Sequence, residues 1–291
     1  MTRELAFIER LRALATHPAA RGLNDDCAVL PLGSETLILT HDMLVEGIHY
    51  LPGADMDDVA WKLVATNLSD LAAKGAEPIG VLLGHMLGPG DGDFLRGLED
   101  VLSHYGVPLL GGDTTSGGPP RADGLTAVGK ATFTPVPSRS GAQPGDAIYI
   151  TGPVGAAMMG FEALRDGLEG DSAAFRRPMA RLAEGQALAP YATAMMDVSD
   201  GLLLDACRMA RASAVSMSLA GASVPLGCPS GRLLDALRWG DDYELLFTAP
   251  ETTPLPVPAH RIGTVLLPEH APLLLDGTPL SEADDLGYQH G

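Results

Sequence analysis

Apolar residues along the chain fall into short unbroken runs and longer stretches at helical spacing. TLILT (36–40) reads as a buried strand ending at His41-Asp42, followed by a loop through VEGIHYLPG. Asp57 or Asp58 is then expected to cap a helix. From Val59 to about Gly75 the apolar positions Val64, Leu68 and Leu71 recur at helical spacing, and Gly75 with Pro78 closes the element. IGVLLGHML reads as a strand, 93–104 as a helix, VPLLGGD as a strand entering the turn GGDTTSGGPP, and LTAVGKATFT as another strand. Pro, Ser and Gly concentrate in TPVPSRSGAQPGD (134–146), which divides the chain into domains at 1–135 and 146–291. Beyond it AIYITG reads as a strand, GAAMMGFEALRDG and RLAEGQALAPY as helices, and AMMDVSDG as a strand running into a turn. LLLDACRMARASA follows as a helix carrying Leu203, Cys207 and Ala210 on one face, and DDYELLFTA as a late strand. Both halves mix helices with direct strand-to-strand connections, so the expected class is α+β, two layered domains rather than one doubly wound sheet. No period of 20 to 50 residues marks a solenoid.

Composition narrows the functional classes. The 291 residues carry 37 acidic against 19 basic side chains, a formal charge of -18. That balance argues against a nucleic-acid backbone or an anionic lipid surface as partner, because both are held mainly by Lys and Arg. Cys27, Cys207 and Cys228 form no C-x-x-C pair, which suits a reducing, cytoplasmic setting better than a disulfide framework or a thiolate zinc site. MTRELAFIERLRALA mixes charge into a helical pattern, so neither an export signal nor a membrane span is expected.

The candidate chemistry lies in the placement of aspartates. Asp26, Asp42, Asp113, Asp197 and Asp200 each stand at the edge of a short apolar strand, where loops of a sheet converge. Asp70 instead shares a helical stripe with Leu63, Asn67 and Lys74. Any one of them is an ordinary turn former, helix cap or i,i+4 partner. Together, without Cys or His clusters, they form an all-oxygen donor set that favours a hard cation, Mg²⁺ first.

Glycine-rich turns GGDTTSGG (111–118) and TGPVGAA (151–157) follow strands, and the second opens a helix whose N–H groups could take a phosphate. GLTAVGKA (124–131) imitates a phosphate loop but offers Ala131 where a hydroxyl is needed and runs on into TFT rather than a helix. No G-x-S-x-G elbow is present. His49, in EGIHY, stands beside the acidic loops.

NDDCAVL, HDMLVEGIHY, WKLVATNLSDLAAKGAEP, GGDTT, RSGAQPGD, MDVSDGL and GDDYEL occur in an order and spacing that resembles the thiamine-monophosphate kinase family, of the superfamily shared with aminoimidazole ribonucleotide synthetase and selenophosphate synthetase. The resemblance runs from about residue 4 to Tyr288. It implies an N-terminal metal-binding domain with a sheet or barrel that dimerises, and a C-terminal mixed sheet with helices completing the nucleotide and substrate site. It also implies ATP as co-substrate, thiamine phosphate as acceptor, several Mg²⁺ ions, a homodimer, and the last step of thiamine diphosphate formation. Carried over by motif, the metal ligands are Asp26, Thr40, His41, Asp42, Asp70, Asp113, Asp197 and Asp200. The implied ATP contacts are Gly112, Asp113, Arg139 and Ser199, and the implied substrate contacts are His49, Asp241 and Tyr288.

Some positions depart from the family pattern. Asn24 stands for a usual Gly, His41 for a usual Thr, Asp241 for a usual Glu and Lys74 for a common Met. Lys74 is expected to neutralise Asp70, and Asp25 to face solvent or fix its loop. A phosphate acceptor, whose second pKa is about 6, is mostly dianionic at neutral pH and needs no general base. A related enzyme on another acceptor, or a non-catalytic ATP-binding homologue, stays open on sequence alone.

Overall fold

In the computed structural model, which describes residues 3–281 and 284–289, the first half runs α1 (Arg3–Arg12), β1 (Ala28–Leu32), β2 (Glu35–Val45), α2 (Met56–Ala73), β3 (Ala76–Leu87), α3 (Asp91–Tyr105), β4 (Leu109–Ser116) and β5 (Ala122–Ala131). Its five strands order as β1-β2-β5-β3-β4, with only the β3–β4 pair parallel. The sheet is open, with β1 and β4 as edges. The apolar run at 36–40 does not end at His41-Asp42. β2 continues through them to Val45 because the whole length finds a partner in β5, from Leu37–Lys130 to Val45–Ala122. GGDTTS is likewise strand rather than turn, since β3 offers its free edge as far as Leu87.

The second half runs β6 (Asp146–Ile150), α4 (Ala156–Asp166), α5 (Ala173–Arg176), α6 (Leu182–Leu188), β7 (Ala194–Asp197), α7 (Leu202–Ala212), β8 (Ser216–Leu219), α8 (Leu233–Trp239), β9 (Leu245–Pro250), β10 (His260–Leu266), β11 (Leu273–Leu275) and β12 (Thr278–Leu280). Its seven strands form one mixed sheet, β12-β11-β8-β10-β6-β9-β7. Leu203, Cys207 and Ala210 of α7 are fully buried against it, as their spacing predicts. This is the expected α+β architecture of two layered sheets with helices.

Helix α2 joins the two halves. Val64, Leu68 and Leu71 pack into the core beneath the N-terminal sheet, while Ala72 and Ala73 at its end join Tyr149, Met195 and Phe247 on the C-terminal sheet. A helix buried on nearly every side has apolar or small residues around its circumference, which the sequence shows from Val59 to Ala73. Its N-cap is Asp55, with Asp57 and Asp58 in the first turn instead of at the cap. Asp58 turns inward and pairs with Arg176 and Arg177, tying α2 to the second half. α6 approaches α2 through Gly185, where an added Cβ would lie 2.0 Å from the Ala72 carbonyl oxygen.

Candidate metal and phosphate site

The end of α2 carries Asp70 between the two sheets, and strand geometry brings other acids to it. Along β2, Thr40, Asp42 and Leu44 face α2 and His41 and Met43 face away, because successive side chains alternate. Thr40 Oγ1 donates a short hydrogen bond to Asp70 Oδ2. The backbone N–H of Asp42 donates to Asn67 Oδ1 on α2 at 3.0 Å. From the other half, β7 ends at Asp197, whose Oδ2 accepts from Ser69 Oγ at 2.6 Å. Asp26, before β1, closes the group: Asp26, Asp70 and Asp197 each present a carboxylate oxygen within 4.8 Å of the others.

These carboxylates are unevenly compensated. Asp26 Oδ1 accepts from Arg139 Nε at 2.6 Å, and its Oδ2 is ion-paired with Lys74 Nζ at 2.5 Å. Asp42, Asp70 and Asp197 have no Lys or Arg ion pair among the described residues. Burial pushes the Asp70 carboxyl well above the usual carboxylate range, and the charges of Asp42, Asp197 and Asp26 push it further. Burial, helped by Asp26 and opposed by the Ser69 hydrogen bond, raises Asp197 to about 7. Burial also raises Asp42, with His41 opposing and Asp200 and Asp26 adding. Crowded carboxylates, pushed towards their neutral form by burial and by one another, are the all-oxygen donor set a hard cation requires, so the residues fit Mg²⁺.

Asp25 does not face solvent. Its side chain is only 2% exposed, and Oδ1 binds Lys74 at 2.5 Å while Oδ2 binds Arg21. Burial favours its neutral form, but Lys74 and Arg21 outweigh that and hold the carboxyl well below the usual range. It therefore fixes the loop. Lys74 correspondingly does not pair with Asp70, four residues back. As the C-cap residue of α2 it leaves the helical stripe and reaches Asp25 and Asp26.

The acids line a cleft of about 950 Å³ together with Arg139, Ser199, Asp200, His49, Asp241 and Tyr288. Asp200 is held by Arg208 and by the return of the chain, Tyr288 N–H donating to its carbonyl at 2.8 Å. Asp205, which the sequence reading missed, is fully buried and accepts from the N–H groups of Ser199 and Asp200 at 3.1 and 3.0 Å. Its only sequence sign was a charge on the buried face of α7. Phe161, Phe175 and Trp239 also line the cleft, with Phe161 centred 4.9 Å from Trp239 and 5.3 Å from Phe175. These rings also escaped the sequence reading, because they come from three separate helices or helix ends.

Asp241 is fixed at both oxygens, by Lys62 Nζ at 2.8 Å and Tyr243 Oη at 2.9 Å. Gly240 before it has φ +91, and a Cβ there would meet the Ser199 carbonyl at 2.4 Å, so the sharp approach to Asp241 requires glycine. Lys62 Nζ also donates to the His49 carbonyl at 3.1 Å. Val45 N–H donates to His49 Nδ1 at 2.9 Å, which leaves the proton of the neutral ring on Nε2.

Three expected residues stand apart within this chain. His41 faces the outer side of the sheet and bonds Thr126 Oγ1 at 2.9 Å, because it alternates with Thr40 and Asp42. Gly112 and Asp113 lie on exposed edge strand β4. Asp113 is three strands across from Asp42, about 14 Å at the usual strand spacing. The turn at 151–157 does not offer a free phosphate site either, for Gly155 N–H at the start of α4 donates to the buried Asp242 carboxylate at 2.8 Å.

The models for the AIR synthase related protein match this chain with the N-terminal domain over residues 24–131 and the C-terminal domain over 143–254. Thiamine-monophosphate kinase of Escherichia coli K12 is 36% identical over 299 residues, covering 92% of this chain and 91% of that protein. The enzyme of the same name from Methanospirillum hungatei JF-1 is 33% identical, covering 92% of this chain and 93% of its own. Among solved structures, the complex of AaThiL with AMPPCP and TMP superposes with a TM-score of 0.85 at 27% identity, over 96% of this chain and 94% of that one. Thiamine-monophosphate kinase from Stenotrophomonas maltophilia K279a gives 0.77 at 31% identity, over 94% and 96%.

Proposed function

This chain belongs to the AIR synthase related family and, within it, to the thiamine-monophosphate kinases, and we propose that it transfers the γ-phosphoryl group of ATP to thiamine phosphate, giving thiamine diphosphate and ADP. The convergence of Asp26, Asp42, Asp70 and Asp197, from four separate elements, on one cleft with an aromatic wall carries the reading.

Both substrates bring negative charge to the cleft. Two unit charges about 4 Å apart cost roughly 4 kcal/mol at an effective dielectric of 20, and each reacting phosphate carries more than one. Asp26, Asp42, Asp70 and Asp197 are the residues that would hold Mg²⁺, with Asp200 at the rim. When bound, Mg²⁺ supplies the charge neutralisation and alignment that in-line phosphoryl transfer depends on. The protein's own groups do the rest. Thr40 and Ser69 orient the Asp70 and Asp197 carboxylates by donating to them. Arg139, paired with Asp26, supplies fixed positive charge at the nucleotide side, and Ser199 lines the same cleft. Phe161 and Trp239 offer flat apolar surface to a heterocyclic cation, beside the Lys62–Asp241 ion pair and the Phe175 ring that Lys62 Nζ covers at 3.9 Å. His49 and Tyr288 complete this substrate end. No side chain is asked to take a proton from the acceptor.

A homodimer suits the N-terminal sheet. Met43, Ile79, Leu82, Leu109 and Leu110, on its outer side and open edge, are 41 to 53% exposed, a concentration of apolar surface that monomers seldom leave uncovered. In such an assembly His41, Gly112 and Asp113, on the same side and edge, gain neighbours that they lack in one chain. No described helix is long and apolar enough to cross a membrane, and three free thiols suit the cytoplasm. ADP release from ATP and Mg²⁺, measured with and without thiamine phosphate, tests the function. Acceptor-dependent release supports it, and release indifferent to the acceptor, or none, refutes it.

A further inference from the structure

Lys74 is a long cationic side chain with no exposed surface, set where α2 ends. Nζ lies 2.5 Å from Asp25 Oδ1, 2.5 Å from Asp26 Oδ2 and 3.4 Å from the Met195 carbonyl. Burial alone favours a neutral amine. The adjoining Asp26 and Asp25 charges outweigh it and raise Lys74 above the ordinary lysine range. The two acids depend on it differently. Asp25 is hydrogen-bonded by Lys74 on one oxygen and by Arg21 on the other. Asp26 has Arg139 on Oδ1 and Lys74 as the ion-pair partner of Oδ2. That oxygen is buried, and its carboxylate belongs to the acid trio that gathers within 4.8 Å.

We propose that Lys74 is a resident counter-ion of the acid cluster: it stabilises the metal-free protein by occupying Asp26 Oδ2, and it weakens divalent-cation binding by competing for that oxygen. The inference rests on the reading that Asp26, Asp70 and Asp197 hold divalent cations. A lysine that merely complements the negative end of α2 would affect stability alone, because it would contest no ligand atom. A competing lysine moves two quantities in opposite directions. Its removal costs stability without metal and increases the affinity for metal.

The test uses the full chain, as wild type and K74M, with Mn²⁺ as probe, followed by calorimetric titration and by the electron paramagnetic signal of free Mn²⁺. Melting temperatures are taken in EDTA and in saturating Mn²⁺. K74M is expected to bind Mn²⁺ at least about tenfold more tightly, since one unit of nearby positive charge is gone. Its melting temperature in EDTA is expected to fall by at least about 4 °C, with Mn²⁺ closing the gap. The double variant K74M/D25N removes an anion with the cation; it is expected to recover part of the EDTA deficit and keep the tighter binding, and it carries the measurement should K74M not fold. Wild-type binding of Mn²⁺ with an unchanged isotherm in the variants overturns the role of Lys74 alone. Absence of Mn²⁺ binding in every protein overturns both this inference and the metal reading beneath it.

Discussion

Asp25 and Asp26 are adjacent in the chain and serve different ends: one is locked between Arg21 and Lys74, the other joins Asp70 and Asp197. Nothing in NDDCAVL distinguishes them, because the partners that do so lie elsewhere in the chain. The acids themselves were legible, since carboxylates at the edges of apolar runs are few and their side chains must be satisfied. Asp70 is the sharpest case at this scale. It is half-buried in the cleft wall and surrounded by like charge, so Asp70→Asn should lower turnover at least about a hundredfold, the scale for loss of one preorganised electrostatic group. Steady-state kinetics across Mg²⁺ concentrations check this, with a melting curve to show that the variant is folded. Asp197 gives a pH dependence. Its carboxyl is raised from 3.8 unfolded to about 7 folded, so the native metal-free state binds more protons between those values. The stabilising contribution is therefore whole below about pH 4 and is lost as pH rises through 7. Melting temperatures in EDTA should fall less steeply over that window in Asp197→Asn than in wild type; equal slopes contradict the assignment.

At the scale of elements, α2 was the most legible, because its apolar spacing continues through several turns and Gly75 ends it. Its second packing surface was not legible, since Ala72 and Ala73 read equally well as a small-residue helix end or as a contact. The end of β2 was misplaced for a related reason. His41 and Asp42 are polar, but a long partner strand overrides the local break, and alternation then sends His41 outward and Asp42 inward. The contact between α2 and α6 fixes Asp70 against β7, and it depends on Gly185 having no side chain. Gly185→Val should destabilise the fold by about 1 to 3 kcal/mol, the usual cost of forcing volume into a packed contact. Urea unfolding checks it, and an unchanged midpoint would show that the helices can separate without penalty.

The whole molecule places a site between two sheets that meet through one helix. Each half contributes some of the acids, so the cleft exists only when both are folded and docked. The general α+β architecture followed from the alternation of apolar runs with helical stretches. The aromatic group and the Lys62–Asp241 contact did not, because they join residues from elements well separated in the chain. The exposed outer side of the N-terminal sheet makes a prediction of its own: Leu82→Glu, which puts charge on that apolar surface, should convert a dimer to a monomer by light scattering after size exclusion. A wild type that is already monomeric contradicts the proposed assembly.

Anomalous X-ray diffraction from crystals of the protein grown with Mn²⁺ and a non-hydrolysable ATP analogue locates divalent ions directly. Peaks within coordination distance of Asp26, Asp70 and Asp197 are the expected result. Well-ordered nucleotide in the cleft with no anomalous density among those three carboxylates would contradict the claim that they exist to hold cations between two phosphates.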